Sequence, residues 1–108
     1  MNNPLSILKA LSDRNRLRVV AALMNQRELC ACHIIELLDV TGATASHHMG
    51  ILIESGLVRS RKAGRWVHYK LNREAAAPIF QWLENELQND PGIKADRKAI
   101  IKITGCKK

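Results

Sequence analysis

Nowhere do these 108 residues approach the run of about 18 apolar side chains that a membrane-spanning helix needs, so no membrane span is expected. The opening MNNPLSILKALSD lacks the basic flank and small-residue cleavage site of a secretory signal, which predicts a cytoplasmic protein. Cysteine is scarce and odd in number: Cys30, Cys32 and Cys106. Three thiols, two of them only two positions apart, make a poor disulfide framework; in a reducing compartment such thiols point to metal binding or redox sensing. The chain has no phosphate-cradling glycine loop, no convincing nucleophile–base pair and no βαβ context for a thiol oxidoreductase, so an enzyme is not expected. No internal repeat or low-complexity segment is present. The length allows one domain with one modest core.

Charge is present in blocks. The net charge is +7, from 17 basic and 10 acidic residues. Residues 1–56 carry five of each sign, residues 57–73 six basic and no acidic, residues 74–93 four acidic and no basic, and residues 94–108 six basic and one acidic. A surface tuned only for solubility intersperses the signs. Two positive blocks are what a phosphate-binding surface requires.

The stretch from Glu28 to Leu57 organises the rest. Ile34, Leu37 and Leu38 repeat at helical spacing, as do Ala45, Met49, Leu52 and Ile53. Between them, Asp39-Val40-Thr41-Gly42 is a turn, with Gly42 placed to relax the backbone, and Thr41 or Thr44 can cap the second helix. Ser55-Gly56 closes that helix, with glycine in the left-handed conformation. Two short helices around such a turn form a helix-turn-helix, whose second helix offers its first residues to base edges. Thr44, Ser46, His47 and His48 stand there. The alternative is an αα-hairpin of an ordinary core.

Upstream, Leu5, Ile7, Leu8 and Leu11 predict an amphipathic helix with Pro4 in its first turn. A second helix follows from Arg14 to Met24, capped by Ser12 or Asp13, with Leu17, Val20, Ala21 and Met24 inward and Arg14, Arg16 and Arg18 on a solvated face. Downstream, the period becomes that of strands. Leu57 to Lys62 and Arg65 to Leu71 flank Ala63-Gly64 and read as a hairpin, its basic side chains Arg59, Arg61, Lys62 and Arg65 set to contact the DNA backbone. Trp66 and Tyr69 are expected to pack it against the helices. A helix over 74–89 carries Ile79, Trp82, Leu83, Glu86 and Leu87, more apolar surface than this core can bury, which suggests a second copy as partner. Asp90-Pro91-Gly92 is expected to end it. Residues 1–89 thus form the DNA-binding and dimerisation domain, and residues 90–108 a basic tail.

The whole pattern resembles the ArsR/SmtB metalloregulatory repressors over roughly residues 5 to 87. Three segments carry the resemblance: Leu11-Ser12-Asp13-Arg14-Asn15-Arg16-Leu17-Arg18; Glu28-Leu29-Cys30-Ala31-Cys32, similar to the ELCVCDL box of the family's thiolate sensors; and Ala45-Ser46-His47-His48-Met49 through Ser55-Gly56-Leu57-Val58, with Gly64-Arg65-Trp66-Val67-His68-Tyr69. The resemblance implies a mainly α fold with a small β-hairpin, a winged helix-turn-helix that acts as a homodimer. It also implies a repressor that holds double-stranded operator DNA when empty and releases it when an inducer binds. No cofactor is required. Where the box ends in aspartate this chain has His33, and where many arsenic sensors place a third cysteine it has Ile35. The family's other metal site uses histidine and carboxylate pairs on the C-terminal helix. Residues 74–89 hold no histidine, so that site is expected to be missing.

The inducer is therefore expected at Cys30 and Cys32, with Cys106 as a third ligand or an incidental thiol. His33 is a ligand or, more simply, an exposed or capping side chain. Thiolates select soft ions, and a helix N-terminus favours the thiolate. Arsenite or antimonite fits the resemblance first and cadmium or lead second; zinc, which wants four ligands, comes last. A thiol redox switch is the alternative of a different class. In a regular helix, positions i and i+2 point about 200° apart, so both sulfurs are expected to meet one ion only if the helix start unwinds, moving the recognition helix with it.

Overall fold

The computed structural model describes residues 3–105. The elements follow in the order α1 (Pro4–Leu11), α2 (Arg14–Asn25), β1 (Leu29–Cys30), α3 (Ala31–Leu38), α4 (Gly42–Glu54), β2 (Val58–Ala63), β3 (Trp66–Leu71), α5 (Ala77–Leu87) and α6 (Pro91–Ile103). Among the described residues no helix is long and apolar enough to cross a membrane.

Four helices begin on a side chain that accepts a backbone N–H three residues on: Asn3 from Ser6, Asp13 from Arg16, Thr41 from Thr44 and Asp90 from Ile93. Each removes one of the unpaired donors that every helix start exposes. α2 is the axis of the fold. Its period predicts one apolar face, yet Val19 through Leu23 are all buried, because α1, α4, α5, α6 and β3 pack around it. A helix enclosed on all sides keeps no polar face. Leu17 and Met24 end up only half-buried. On α1, Ile7 and Ala10 enter the core while Leu5 and Leu8 stand 63% and 60% exposed.

The arginines of α2 do not form the solvated face expected of them. Arg16 donates to the carbonyl of Ala10 at 2.8 Å, at the end of α1. Arg18 pairs with Asp96 of α6 at 2.8 and 3.1 Å and donates to the carbonyl of Leu37, at the end of α3. Arg73 reaches the carbonyl of Leu23 near the end of α2, and Arg97 bridges Glu84 of α5 to the carbonyl of Ala21. Helix C-termini present unpaired carbonyls and a partial negative charge, so a guanidinium fork is well matched to them. Of the three arginines of α2 only Arg14 is exposed. Four arginines of a chain with net charge +7 are thus committed to internal contacts.

Three further departures from expectation concern boundaries. α5 starts at Ala77 rather than 74; residues 73–75 form a turn, and Pro78 sits in the helix's first turn. Phe80, outside the expected face, is buried with Leu83, whereas Trp82 is 60% exposed. Asp90-Pro91-Gly92 does more than end a helix. Asp90 caps α6 and Pro91 occupies its first position, where a missing N–H costs nothing. Most of the expected tail is therefore a 13-residue helix packed against α2 and α3, with Ile93 and Ile100 buried.

The sheet is small and antiparallel, ordered β1–β3–β2. β2 and β3 form the expected hairpin, with Val58 opposite Leu71 and Ala63 opposite Trp66. Gly64 opens the two-residue connection at φ 65°, the left-handed region that such tight hairpins demand. β1 is the addition: Leu29 lies opposite Tyr69 and Cys30 opposite His68. Two residues offer no readable period, so this strand leaves no trace in the pattern.

Candidate functional site

The cysteines sit where β1 passes into α3. Cys30 is the residue before the helix, in extended conformation at φ −74° and ψ 153°, and Cys32 lies in the helix's first turn. The expectation that their sulfurs diverge assumed both inside a regular helix. With Cys30 outside it, the sulfurs lie 3.1 Å apart, and no unwinding is needed to bring them together. Cys30 is 5% exposed and Cys32 is exposed, so the pair opens to solvent on one side. His33 fills the capping role. Its Nδ1 accepts the N–H of Cys30 at 3.1 Å, which requires the neutral ring. Burial, together with the nearby His68, lowers the His33 pKa and keeps it so.

The Cys32 thiol is held above the ordinary thiol range. Its hydrogen bond to the Cys30 sulfur is the main cause and burial the next; both outweigh the N–H groups of His33 and Cys32, which pull the other way. The lowered pKa expected from the helix start is therefore reversed at Cys32, because ionising that thiol would give up its hydrogen bond to the Cys30 sulfur. An ion binding here displaces that proton. Among the described residues no group of three or more His, Cys, Asp or Glu side chains is arranged to hold a metal. Cys106 lies outside the described residues.

α3 and α4 make the helix-turn-helix. The turn's left-handed residue is Asp39, at φ 57°, not Gly42, which is the first residue of α4. Thr41 caps α4, accepting the N–H of Thr44 at 3.1 Å. The far end closes as expected: Gly56 takes φ 87°, its N–H reaching the carbonyl of Ile53 and that of Leu57 the carbonyl of Leu52. Ala45, Met49 and Leu52 point into the core, and Thr44, Ser46 and His47 stand exposed. His48 departs from that set. It is 8% exposed, with Nδ1 3.2 Å from a guanidinium nitrogen of Arg16 and 3.9 Å from the Asp13 carboxylate. Positions 45, 48, 49 and 52 share one helix face, so His48 belongs with the core side. It ties α4 to α2.

The wing cations differ in how free they are. Arg61 is held by Glu28 through two bonds of 2.7 and 2.9 Å. This pairing holds the Glu28 carboxyl below its usual range and raises the Arg61 pKa. Arg59 lies 3.8 Å from Glu74. Lys62 and Arg65, beside the hairpin turn, are exposed and have no ion-pair partner among the described residues. Tyr69 is buried as expected, but Trp66 is 52% exposed, because its cross-strand neighbour is the small Ala63 at the tip. Sequence reasoning missed Glu28, His68 and Arg16, whose partners lie 32 or more residues away. The acid beside the cysteines was the one available hint.

Helix-turn-helix, basic hairpin and flanking helices define a winged-helix regulator. The profile of the bacterial regulatory protein, arsR family, matches residues 13–60. The "Arsenical resistance operon repressor" of Escherichia coli K12 is 42% identical over 69 residues, 64% of this chain and 59% of its own length. The "Cadmium resistance transcriptional regulatory protein CadC" of Listeria innocua serovar 6a is 48% identical over 61 residues, 56% of this chain and 51% of its own. This chain therefore spans little more than half the length of those two relatives. The "Arsenic resistance transcriptional regulator ArsR2" of Pseudomonas putida KT2440 is 30% identical over 102 residues, covering 94% of this chain and 89% of its own. Among solved structures, HlyU from Vibrio cholerae N16961 superposes with a TM-score of 0.71 at 25% identity, covering 79% of this chain and 91% of that one. The chain belongs to the ArsR family of bacterial transcriptional regulators.

Proposed function

We propose that this protein is a cytoplasmic repressor that binds operator DNA when empty and releases it when a soft metalloid ion, arsenite or antimonite, is gripped by Cys30 and Cys32. The observation that carries this reading is the pair of sulfurs 3.1 Å apart and open to solvent at the start of α3. Relatives named for arsenic and for cadmium resistance both support a thiophilic inducer. Further ligands come from Cys106, from solvent or from a small thiol. Ser46, His47 and Thr44 read bases from the exposed face of α4, while Arg59, Arg61, Lys62 and Arg65 position the protein on phosphates. His48 positions α4 from behind rather than reading DNA.

The surface supports a homodimer. Leu5, Leu8, Trp82 and Ile101 are all more than half exposed on α1, α5 and α6, an apolar surplus a second copy would cover. The deciding experiment is release of a fluorescent operator duplex titrated with arsenite, antimonite, cadmium, lead and zinc under reducing conditions, with peroxide alone as a separate arm. Release by arsenite and antimonite at the lowest concentrations is expected. Release by cadmium or lead alone reassigns the ion, and release by peroxide without any ion replaces the reading with a redox switch.

A further inference from the structure

Glu28 belongs to neither the cysteine turn nor the reading surface, yet it lies next to the first in the chain and binds the wing of the second. It stands two residues before Cys30. Its carboxylate accepts Nε of Arg61 at 2.7 Å and Nη2 at 2.9 Å, and His68 Nδ1 lies 3.9 Å away. The strand register explains the meeting. Cys30 lies opposite His68, and His68 lies opposite Arg61, so one cross-strand row joins the cysteine strand to the wing. Directly opposed residues of an antiparallel sheet share a face. A bidentate carboxylate–guanidinium pair satisfies both partners and presents little net charge to a phosphate. Glu28 is the more enclosed of the two, with Arg61 still reachable from solvent.

We propose that Glu28 is the positioning residue that couples the cysteine turn to the wing. It withholds Arg61 from the DNA backbone in the same arrangement that brings the Cys30 and Cys32 sulfurs together. An ion bridging those sulfurs stabilises β1 and the closed Glu28–Arg61 pair; a phosphate competes with Glu28 for Arg61 and favours the open one. The two ligands then oppose each other by linkage, each lowering the other's affinity by the same factor. The inference rests on the inducer reading above and adds its route.

The test measures operator affinity across a salt series, with and without arsenite, or cadmium if the wild-type protein responds only to that, for the wild type, Glu28→Gln, Arg61→Gln and the double variant. Glutamine keeps the size of Glu28 and removes the charge. Glu28→Gln is expected to bind the empty operator up to about fivefold more tightly, the upper range of an exposed ion pair. Its salt slope should steepen by about one phosphate contact, and its ratio of affinities without and with ion should fall. In the Arg61→Gln background, Glu28→Gln should change none of the three. A merely structural Glu28 predicts weaker, not tighter, binding. Weaker or unchanged operator binding by Glu28→Gln, or an ion response equal to that of the wild type, overturns the coupling. A wild type that responds to no ion overturns the inducer reading instead, and the coupling falls with it.

Discussion

The cysteine turn and the reading surface are joined by one three-stranded sheet, and they are built in opposite ways. Around the cysteines nearly every polar group is engaged. His33 accepts the Cys30 N–H, the two sulfurs touch, and Glu28 is filled by Arg61. On the outward face of α4 and at the wing tip, Ser46, His47, Lys62 and Arg65 are exposed, and none of them has an ion-pair partner among the described residues. A site that must respond to one small ligand gains from constrained groups, because a ligand acts only through the difference it senses between two states. A surface that must meet a polyanion gains from unpaired donors and charges. The engaged arginines mark the boundary: Arg16, Arg18 and Arg73 reach carbonyls at helix ends and Arg97 bridges α5 to α2, so fewer cations are free to meet DNA than the 17 basic residues suggest.

Substitutions can break this contrast, and the largest effect falls on the thiols. Cys30→Ser and Cys32→Ser each keep the size of the residue and lose the soft ligand, so ion-induced release should vanish while operator affinity stays at the wild-type value. Fluorescence anisotropy with and without arsenite reads both. Normal release by both variants would remove the sensor from this turn. Next comes the support of the reading helix. Leu52 is fully buried on α4, and Leu52→Ala should cost about 2–5 kcal/mol in urea unfolding. Smaller still, His47→Ala should change discrimination at one base pair by about 1–3 kcal/mol, seen as altered preference among operator variants. Uniform loss on every sequence would show that His47 only positions.

The contrast sharpens within the wing. Arg65→Ala should reduce the salt slope of operator binding by about 0.9, the share of one phosphate. Arg61→Ala should reduce it by less, because Arg61 must first leave Glu28. Equal slopes would mean the ion pair has no bearing on DNA. The smallest effect is set by pH. The folded state resists protonating His33, whose ring must stay neutral to accept from Cys30, whereas the unfolded chain protonates near 6.5. Stability is therefore complete above that value and declines as pH falls through it toward the lower folded value. Melting temperatures taken between about pH 7.5 and pH 5.5 should fall less for His33→Gln, which keeps an acceptor and does not titrate.

Much of this architecture was legible in the residues. The 3.6 period of Ala45, Met49 and Leu52, the caps at Asp13 and Thr41, Gly56 after α4 and the alternating run around Gly64 are local signals, written within a few residues of where they act. They placed α1, α2, α4 and the wing with little error. Cys30-Ala31-Cys32 drew attention to the turn where the two sulfurs meet.

What only the tertiary structure decided has in each case a partner distant in sequence. The two-residue β1 exists because β3 is there to pair with it, and that pairing takes Cys30 out of the helix and brings the sulfurs together. His48 turned inward because Arg16, 32 residues away, receives it. The expected tail became α6 because Arg18 and Glu84 offered Asp96 and Arg97 their charges and α2 and α3 offered the helix a surface on which to bury Ile93 and Ile100. Periodicity reports what a segment prefers alone. Which polar groups are satisfied, and by whom, is settled only when segments remote in the chain meet and exclude water between them.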